Sequence, residues 1–210
     1  MIKFLIADDH AVVRKGIKQI LADEFLHATF GEAQNAHEVL EQAQKQTYDI
    51  VILDITLPGK SGLDVLKELK LAQPKLPVFV VSMHSEEQYA VRVLKAGASG
   101  YMTKESAPKE LINAVRKILS GGKYVSPLLA EKLAFDLETK TEKPLHEMLS
   151  DREYQVMFMI ASGKTVTTIA DELHLSVKTI STYRERILEK MKMKSNAELT
   201  HYAIKNKLVE

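Results

Sequence analysis

Five polar side chains stand where short apolar runs end. Asp8 and Asp9 follow Ile2 to Ala7, Asp54 follows Ile50 to Leu53, Ser82 closes Val78 to Val81, and Lys104 lies just past Gly100-Tyr101-Met102. Three carboxylates brought together repel one another, and a hard, oxygen-seeking divalent cation such as Mg²⁺ relieves that repulsion. An aspartate beside such a cation is a candidate phosphoryl acceptor. The metal neutralises the incoming phosphoryl oxygens, Lys104 can pair with one of them, and the Ser82 hydroxyl can hydrogen-bond another. Asp54 is the best-placed nucleophile, because the turn Ile55-Thr56-Leu57-Pro58-Gly59 is expected to keep its carboxylate exposed. Singly, each residue has a blander role, Asp9 as a helix N-cap and Lys104 as a solvated surface lysine. Their joint occurrence favours a site.

The elements that would position them follow from the apolar runs. Short runs bounded by polar and turn residues read as buried parallel strands, and open parallel sheets gather ligand groups outside the strands' carboxyl ends. Five residues separated in the chain are therefore expected to meet in one cleft, with Asp54 on the central strand of a βαβαβ order.

The set Asp8-Asp9, Asp54 to Gly62, Ser82, Ala96-Gly97-Ala98 and Tyr101-Met102-Thr103-Lys104 resembles the receiver domain of bacterial two-component response regulators over roughly the first 120 residues. The resemblance implies a flavodoxin-like, five-stranded α/β receiver in which a partner sensor histidine kinase phosphorylates Asp54. It further implies that Asp9, Asp54 and the Thr56 carbonyl hold Mg²⁺, that Asp8 acts mostly through water, and that Ser82 and Tyr101 form a switch pair. Thr56 and His84, two positions beyond Asp54 and Ser82, are expected at the rim of the site, controlling access of water to the acyl phosphate. On its own, Tyr101 would be an ordinary half-buried strand aromatic.

Composition sets outer limits. At 210 residues the chain has room for one or two domains of ~100–200 residues, and its 45% apolar content suffices for real cores. It has no cysteine, which excludes disulfides and thiolate metal sites, and its histidines show no ligand spacing. The apolar start meets Asp8-Asp9 too early for a signal peptide, and no run approaches the ~20 residues a membrane span needs. A cytoplasmic protein without membrane association is expected.

The net charge of +1 hides a local excess. Lys178, Arg184, Arg186, Lys190, Lys192 and Lys194 face only Glu185 and Glu189 in the same stretch, a concentration suited to phosphate backbones. Ahead of it, Gly121-Gly122 ends a helix begun near Pro108, and residues 123–147, with Pro127, Pro144 and a charged string, read as a linker carrying a helix from Pro127 to Leu137. The expected division is a receiver at 1–122, this linker, and a DNA-binding domain at 148–210.

That last segment punctuates itself into four helices. Ser150 to Glu153 is a capping box, Gly163 stops the first helix, Thr165 and Ser176 cap the next two, and Ser195 to Glu198 is a second capping box. A short turn before a basic helix describes a helix-turn-helix. If Val177 and Ile180 turn to the core, Lys178, Ser181, Thr182 and Glu185 point into a major groove, with Arg184, Arg186, Lys190 and Lys192 flanking them as phosphate contacts. The run from Leu149 to Met191, with Lys178-Thr179-Ile180-Ser181-Thr182-Tyr183 at its heart, resembles the four-helix LuxR-type DNA-binding domain. Together the halves resemble a NarL/FixJ-family response regulator. Tyr183 stands where that family commonly has His and Glu185 is acidic on the groove side, so the target sequence does not carry over.

The expected protein is a transcriptional regulator that binds double-stranded promoter DNA as a homodimer once Asp54 is phosphorylated. No turnover is expected beyond receiving the phosphoryl group and slowly hydrolysing its own acyl phosphate. The rivals are a constitutive DNA-binding protein with a vestigial receiver and a phosphoaspartyl-type hydrolase. The hydrolase would need a second acid/base near Asp54, which Thr56 cannot provide.

Overall fold

The computed structural model describes residues 1–58, 60–138, 144–206, 208 and 209. The chain forms two compact units, Met1–Leu137 and Glu138–Glu210. Among the described residues no helix is long and apolar enough to cross a membrane.

In the first unit β1 (Lys3–Ala7), β2 (Thr29–Ala33), β3 (Ile50–Leu53), β4 (Val78–Ser82) and β5 (Gly100–Thr103) form one parallel sheet in the order β2-β1-β3-β4-β5. Helices α1 (Ala11–Glu24), α2 (Ala36–Lys45), α3 (Gly62–Ala72) and α4 (Glu86–Lys95) make the crossovers, and α5 (Pro108–Leu119) follows β5. β1, β3 and β4 read as unbroken apolar runs because both faces are covered. On one face Phe4, Ile6, Ile50, Ile52, Phe79, Val81 and Met102 pack with Ile17 and Leu21 of α1 and Leu111, Ala114, Val115 and Ile118 of α5. Their neighbours Leu5, Val51, Leu53 and Val80 alternate to the other face.

The chain beyond α5 does not leave the sheet at once. Tyr124 N–H donates to the Ser99 carbonyl at 2.9 Å, and the Tyr124 ring meets Phe79 edge-on at 5.9 Å. A Cβ on Gly100 would lie 2.7 Å from the Tyr124 carbonyl oxygen, so a glycine is required for this approach. The Tyr124 hydroxyl bonds Glu110, Ser126 bonds Glu86, and Leu129, on α6 (Pro127–Glu138), is buried. The start of the segment expected as a linker is thus an added edge of the first unit. Leu137, the last of the leucines that suggested its helix, has its side chain outside the described set, as do residues 139–143.

The second unit opens with a short 3-10 turn, Leu145–Met148, followed by α7 (Asp151–Ala161), α8 (Val166–Glu172), α9 (Val177–Met191) and α10 (Asn196–Lys205). Side-chain oxygens of Ser150, Thr165, Ser176 and Ser195 accept the orphan N–H groups of their first turns. The box at Ser150 and Glu153 is complete. At α10 it is displaced, since the Glu198 carboxylate accepts from Lys194 N–H rather than from Ser195. Val156, Met157, Ile160, Ile169, Ile180, Ile187, Met191, Leu199 and Ala203 form the core. Leu199 and Ala203 are buried within the one chain, where α10 packs against α7. Val177 departs from expectation: at 47% exposure it stands outside the core, three residues before buried Ile180.

Candidate functional site

Strand register assembles the cleft. Ala7 is opposite Leu53, so the next residues, Asp8 and Asp54, leave β1 and β3 side by side, and Asp54 N–H bonds the Ala7 carbonyl at 2.8 Å. Leu53 is opposite Val80, two residues before Ser82, and Ser82 is opposite Thr103, one before Lys104. Lys104 N–H extends that ladder to the Ser82 carbonyl at 2.8 Å. The five residues separated in the chain therefore emerge at one end of the sheet.

The Lys104 ammonium lies 2.7 Å from Asp54 Oδ2 and 2.5 Å from Asp8 Oδ2, while the other Asp54 oxygen accepts from Thr56 N–H at 3.1 Å. Asp54 is consequently not exposed, as its turn suggested, but 3% accessible, covered by a lysine fifty positions away and by its own loop. Burial pushes the Asp54 carboxyl above its ordinary value, with Asp8 adding to the shift and Lys104 offsetting part of it. Burial also opposes the charge on Lys104, but the two carboxylates outweigh it and raise its pKa. Gly62 permits the tight loop, because a Cβ there would lie 2.3 Å from the Asp54 carbonyl oxygen.

Oxygens of Asp8, Asp9 and Asp54 and a nitrogen of His10 all lie within 4.8 Å of one another. Asp9 Oδ1 is enclosed and accepts no hydrogen bond among the described residues; His10 Nδ1 approaches it at 2.7 Å without hydrogen-bond alignment. A set of hard oxygen donors with one enclosed oxygen left over fits a divalent cation. His10 was missed at the sequence level, although it directly follows the acidic pair; its N–H also closes a turn onto Asp8 Oδ1 at 2.8 Å.

Ser82 is fully buried and its hydroxyl accepts from His84 N–H at 3.3 Å. Tyr101 is fully buried as well, and its hydroxyl donates to the His84 carbonyl at 2.7 Å. The tyrosine ring thus already lies inward, rather than half-exposed, and His84 is held from both sides. Thr56 and His84 are partly exposed, the latter with its ring 4.7 Å from that of Tyr89.

On α9, Lys178, Thr182, Glu185 and Arg186 are exposed, whereas Thr179, Ser181, Tyr183 and Arg184 are half-buried. Thr179 and Thr182 are engaged locally, with the Ser176 hydroxyl and the Lys178 carbonyl respectively. Two cations expected as phosphate contacts have protein partners: Arg184 Nε donates to Asn196 Oδ1 at 2.6 Å, and Lys190 Nζ to buried Glu153 at 2.6 Å. Lys190 therefore ties α9 to the start of α7.

Comparisons with known proteins agree with this anatomy. Residues 4–116 match the response regulator receiver domain, and residues 147–203 match the luxR family of bacterial regulatory proteins. The response regulator GacA of Pseudomonas syringae is 37% identical over 100% of this chain and 99% of its own, and the response regulator UvrY of Escherichia coli is 35% identical over 99% and 96%. RcsB from Salmonella enterica serovar Typhimurium, solved bound to promoter rprA in the presence of phosphomimetic BeF3⁻, superposes with a TM-score of 0.65 at 26% identity, covering 96% of this chain and 98% of that one. The chain belongs to the response regulators, in the NarL/FixJ arrangement of a receiver followed by a LuxR-type DNA-binding domain.

Proposed function

We propose that Asp54 receives a phosphoryl group from the phosphohistidine of a partner sensor kinase and that the charge it gains controls promoter binding by α9. The observation that carries this reading is the convergence of Asp8, Asp9, Asp54, Ser82 and Lys104 at the carboxyl ends of four strands. An Asp54 carboxylate oxygen attacks phosphorus, the new P–O bond replacing the P–N bond as the imidazole leaves. Mg²⁺, held by Asp9, Asp54 and the Thr56 carbonyl with Asp8 acting mostly through water, would neutralise phosphoryl oxygens during transfer. Lys104, now shared between Asp8 and Asp54, would turn to one phosphoryl oxygen, and the Ser82 hydroxyl to another. That move takes Ser82 from His84 N–H, while the Tyr101 hydroxyl keeps its bond to the His84 carbonyl. Thr56 and His84 at the rim govern how fast water returns the acyl phosphate to aspartate.

The functional division is a receiver at 1–122, a connection at 123–147 and a DNA-binding domain at 148–210, acting in the cytoplasm as a homodimer when phosphorylated. In the DNA-binding domain Lys178, Ser181, Thr182 and Glu185 read bases, with exposed Val177 added as an apolar surface suited to a thymine methyl. Thr179 and Tyr183 support that face, and Arg184, Arg186 and Lys190 lie along its flank. RcsB on promoter DNA supports the mode of binding. Asp54→Asn should abolish Mg²⁺-dependent labelling by acetyl phosphate while the protein stays folded; undiminished, acid-stable labelling of that variant would overturn the assignment.

A further inference from the structure

The metal-binding reading leaves open what aims the Asp8-Asp9 loop, and we infer that Arg14 is the positioning residue that sets the metal carboxylates. This rests on the proposed Mg²⁺ site. Arg14 lies one turn into α1, its N–H bonding the His10 carbonyl at 3.1 Å, and its guanidinium reaches back so that one terminal nitrogen donates to the Asp8 carbonyl at 2.6 Å. That carbonyl lies beyond the last β1 rung, and among the described residues no backbone N–H bonds it, so the guanidinium satisfies an oxygen the sheet leaves over. The Arg14 side chain is only 13% exposed, and Glu32 on β2 stands 3.7 Å from its Nε, itself held by Lys18 at 2.7 Å.

The consequence follows from peptide geometry. The Asp8 carbonyl and the Asp9 N–H belong to one planar unit, so holding the carbonyl holds both Cα atoms in place and narrows how far the Asp8 and Asp9 side chains can swing. Lys104 holds the Asp8 and Asp54 carboxylates, but no lysine or arginine pairs with Asp9 among the described residues. With three carboxylates crowded together, an unclamped loop relaxes by swinging Asp9 away, and the cation must then pull it back. Groups that orient metal ligands from behind typically account for ~10–100-fold in metal affinity.

The test is Mg²⁺ binding to the full chain by titration calorimetry, beside thermal melting without Mg²⁺. Arg14→Met keeps the aliphatic stem and removes the donors, and should weaken Mg²⁺ at least ~10-fold at a temperature where the variant is fully folded. Glu32→Gln should weaken it less, and the double variant no more than Arg14→Met alone, since Glu32 acts through the guanidinium. A lowered melting temperature with unchanged Mg²⁺ affinity would make Arg14 merely structural and overturn the inference. If Arg14→Met does not fold, Glu32→Gln decides: weaker Mg²⁺ binding supports the clamp and wild-type affinity refutes it. Absence of Mg²⁺ binding by the wild-type chain would remove the underlying site as well, a result distinct from a wild-type site that Arg14→Met leaves intact.

Discussion

Single residues show where chemistry and stability are tied together. Glu153 is an N-cap partner of Ser150 and also the buried acceptor for Lys190. Burial opposes its charge, yet Lys190 and the Ser150 N–H hold its carboxyl below the ordinary 4.5. A carboxyl depressed by folding stabilises the fold above its unfolded pKa and loses that contribution as pH falls through its folded value. The second unit should therefore melt at lower temperature as pH drops below about 4.5, and Glu153→Gln should flatten the dependence when followed by helical circular dichroism. An unaltered profile in that variant would place acid sensitivity elsewhere. Lys190→Met should cost roughly 1–2 kcal/mol, at the modest end for stranding a buried acceptor because the lysine side chain is 42% exposed and solvent already screens the pair. Gly62→Ala should be costlier, at ~1–3 kcal/mol or more, because the added carbon would meet backbone of the phosphoacceptor loop rather than a movable side chain; urea unfolding measures it.

Elements differ in how far the chain announces them. Strands β1, β3 and β4 were legible because both faces are buried and, apart from Lys3 and Ser82 at their ends, every residue is apolar, and the helices of the second unit because each opens on a Ser or Thr cap. β2 was not, since Thr29-Phe30-Gly31-Glu32-Ala33 forms an outer strand in which only Ala33 is buried, and such a strand needs no apolar run. The convergence of the five site residues could be read from strand ends, but burial of Asp54 could not, because the covering ammonium arrives from the far side of the sequence. Helical spacing likewise placed Ile180 inward correctly and failed at Val177, which stands at the first position of its helix and is 47% exposed. Least legible was the docking of Tyr124, a contact written by a glycine and a tyrosine without periodicity. It carries its own prediction. Gly100→Ala should displace the Tyr124 strand segment and destabilise the first unit by ~1–3 kcal/mol, and the Tyr124 amide should exchange with deuterium faster than in the wild type. Slow exchange at that amide in the variant would show that the edge tolerates a Cβ.

For the whole molecule, the question is how a change at Asp54 reaches DNA. A single recognition helix touches few base pairs, so useful affinity requires paired copies on half-sites about one helical turn apart. Acetyl phosphate should then raise the dimer fraction in sedimentation velocity and tighten promoter binding together, and neither effect should occur in Asp54→Asn. Dimerisation without tighter binding would separate the two. The contacts themselves divide by exposure. Arg186 and Lys178 are open, so Arg186→Ala should weaken all sequences alike and lower the slope of log affinity against log salt by about one. Lys190 is held by Glu153, so Lys190→Met should change the slope less than Arg186→Ala while reducing stability more. Thr182→Ala or Glu185→Ala should shift base preference at ~1–3 kcal/mol per lost contact and leave the salt slope intact. Binding series in which Arg186→Ala altered preference, while Thr182→Ala weakened every site equally, would mean that α9 enters the groove by its other face.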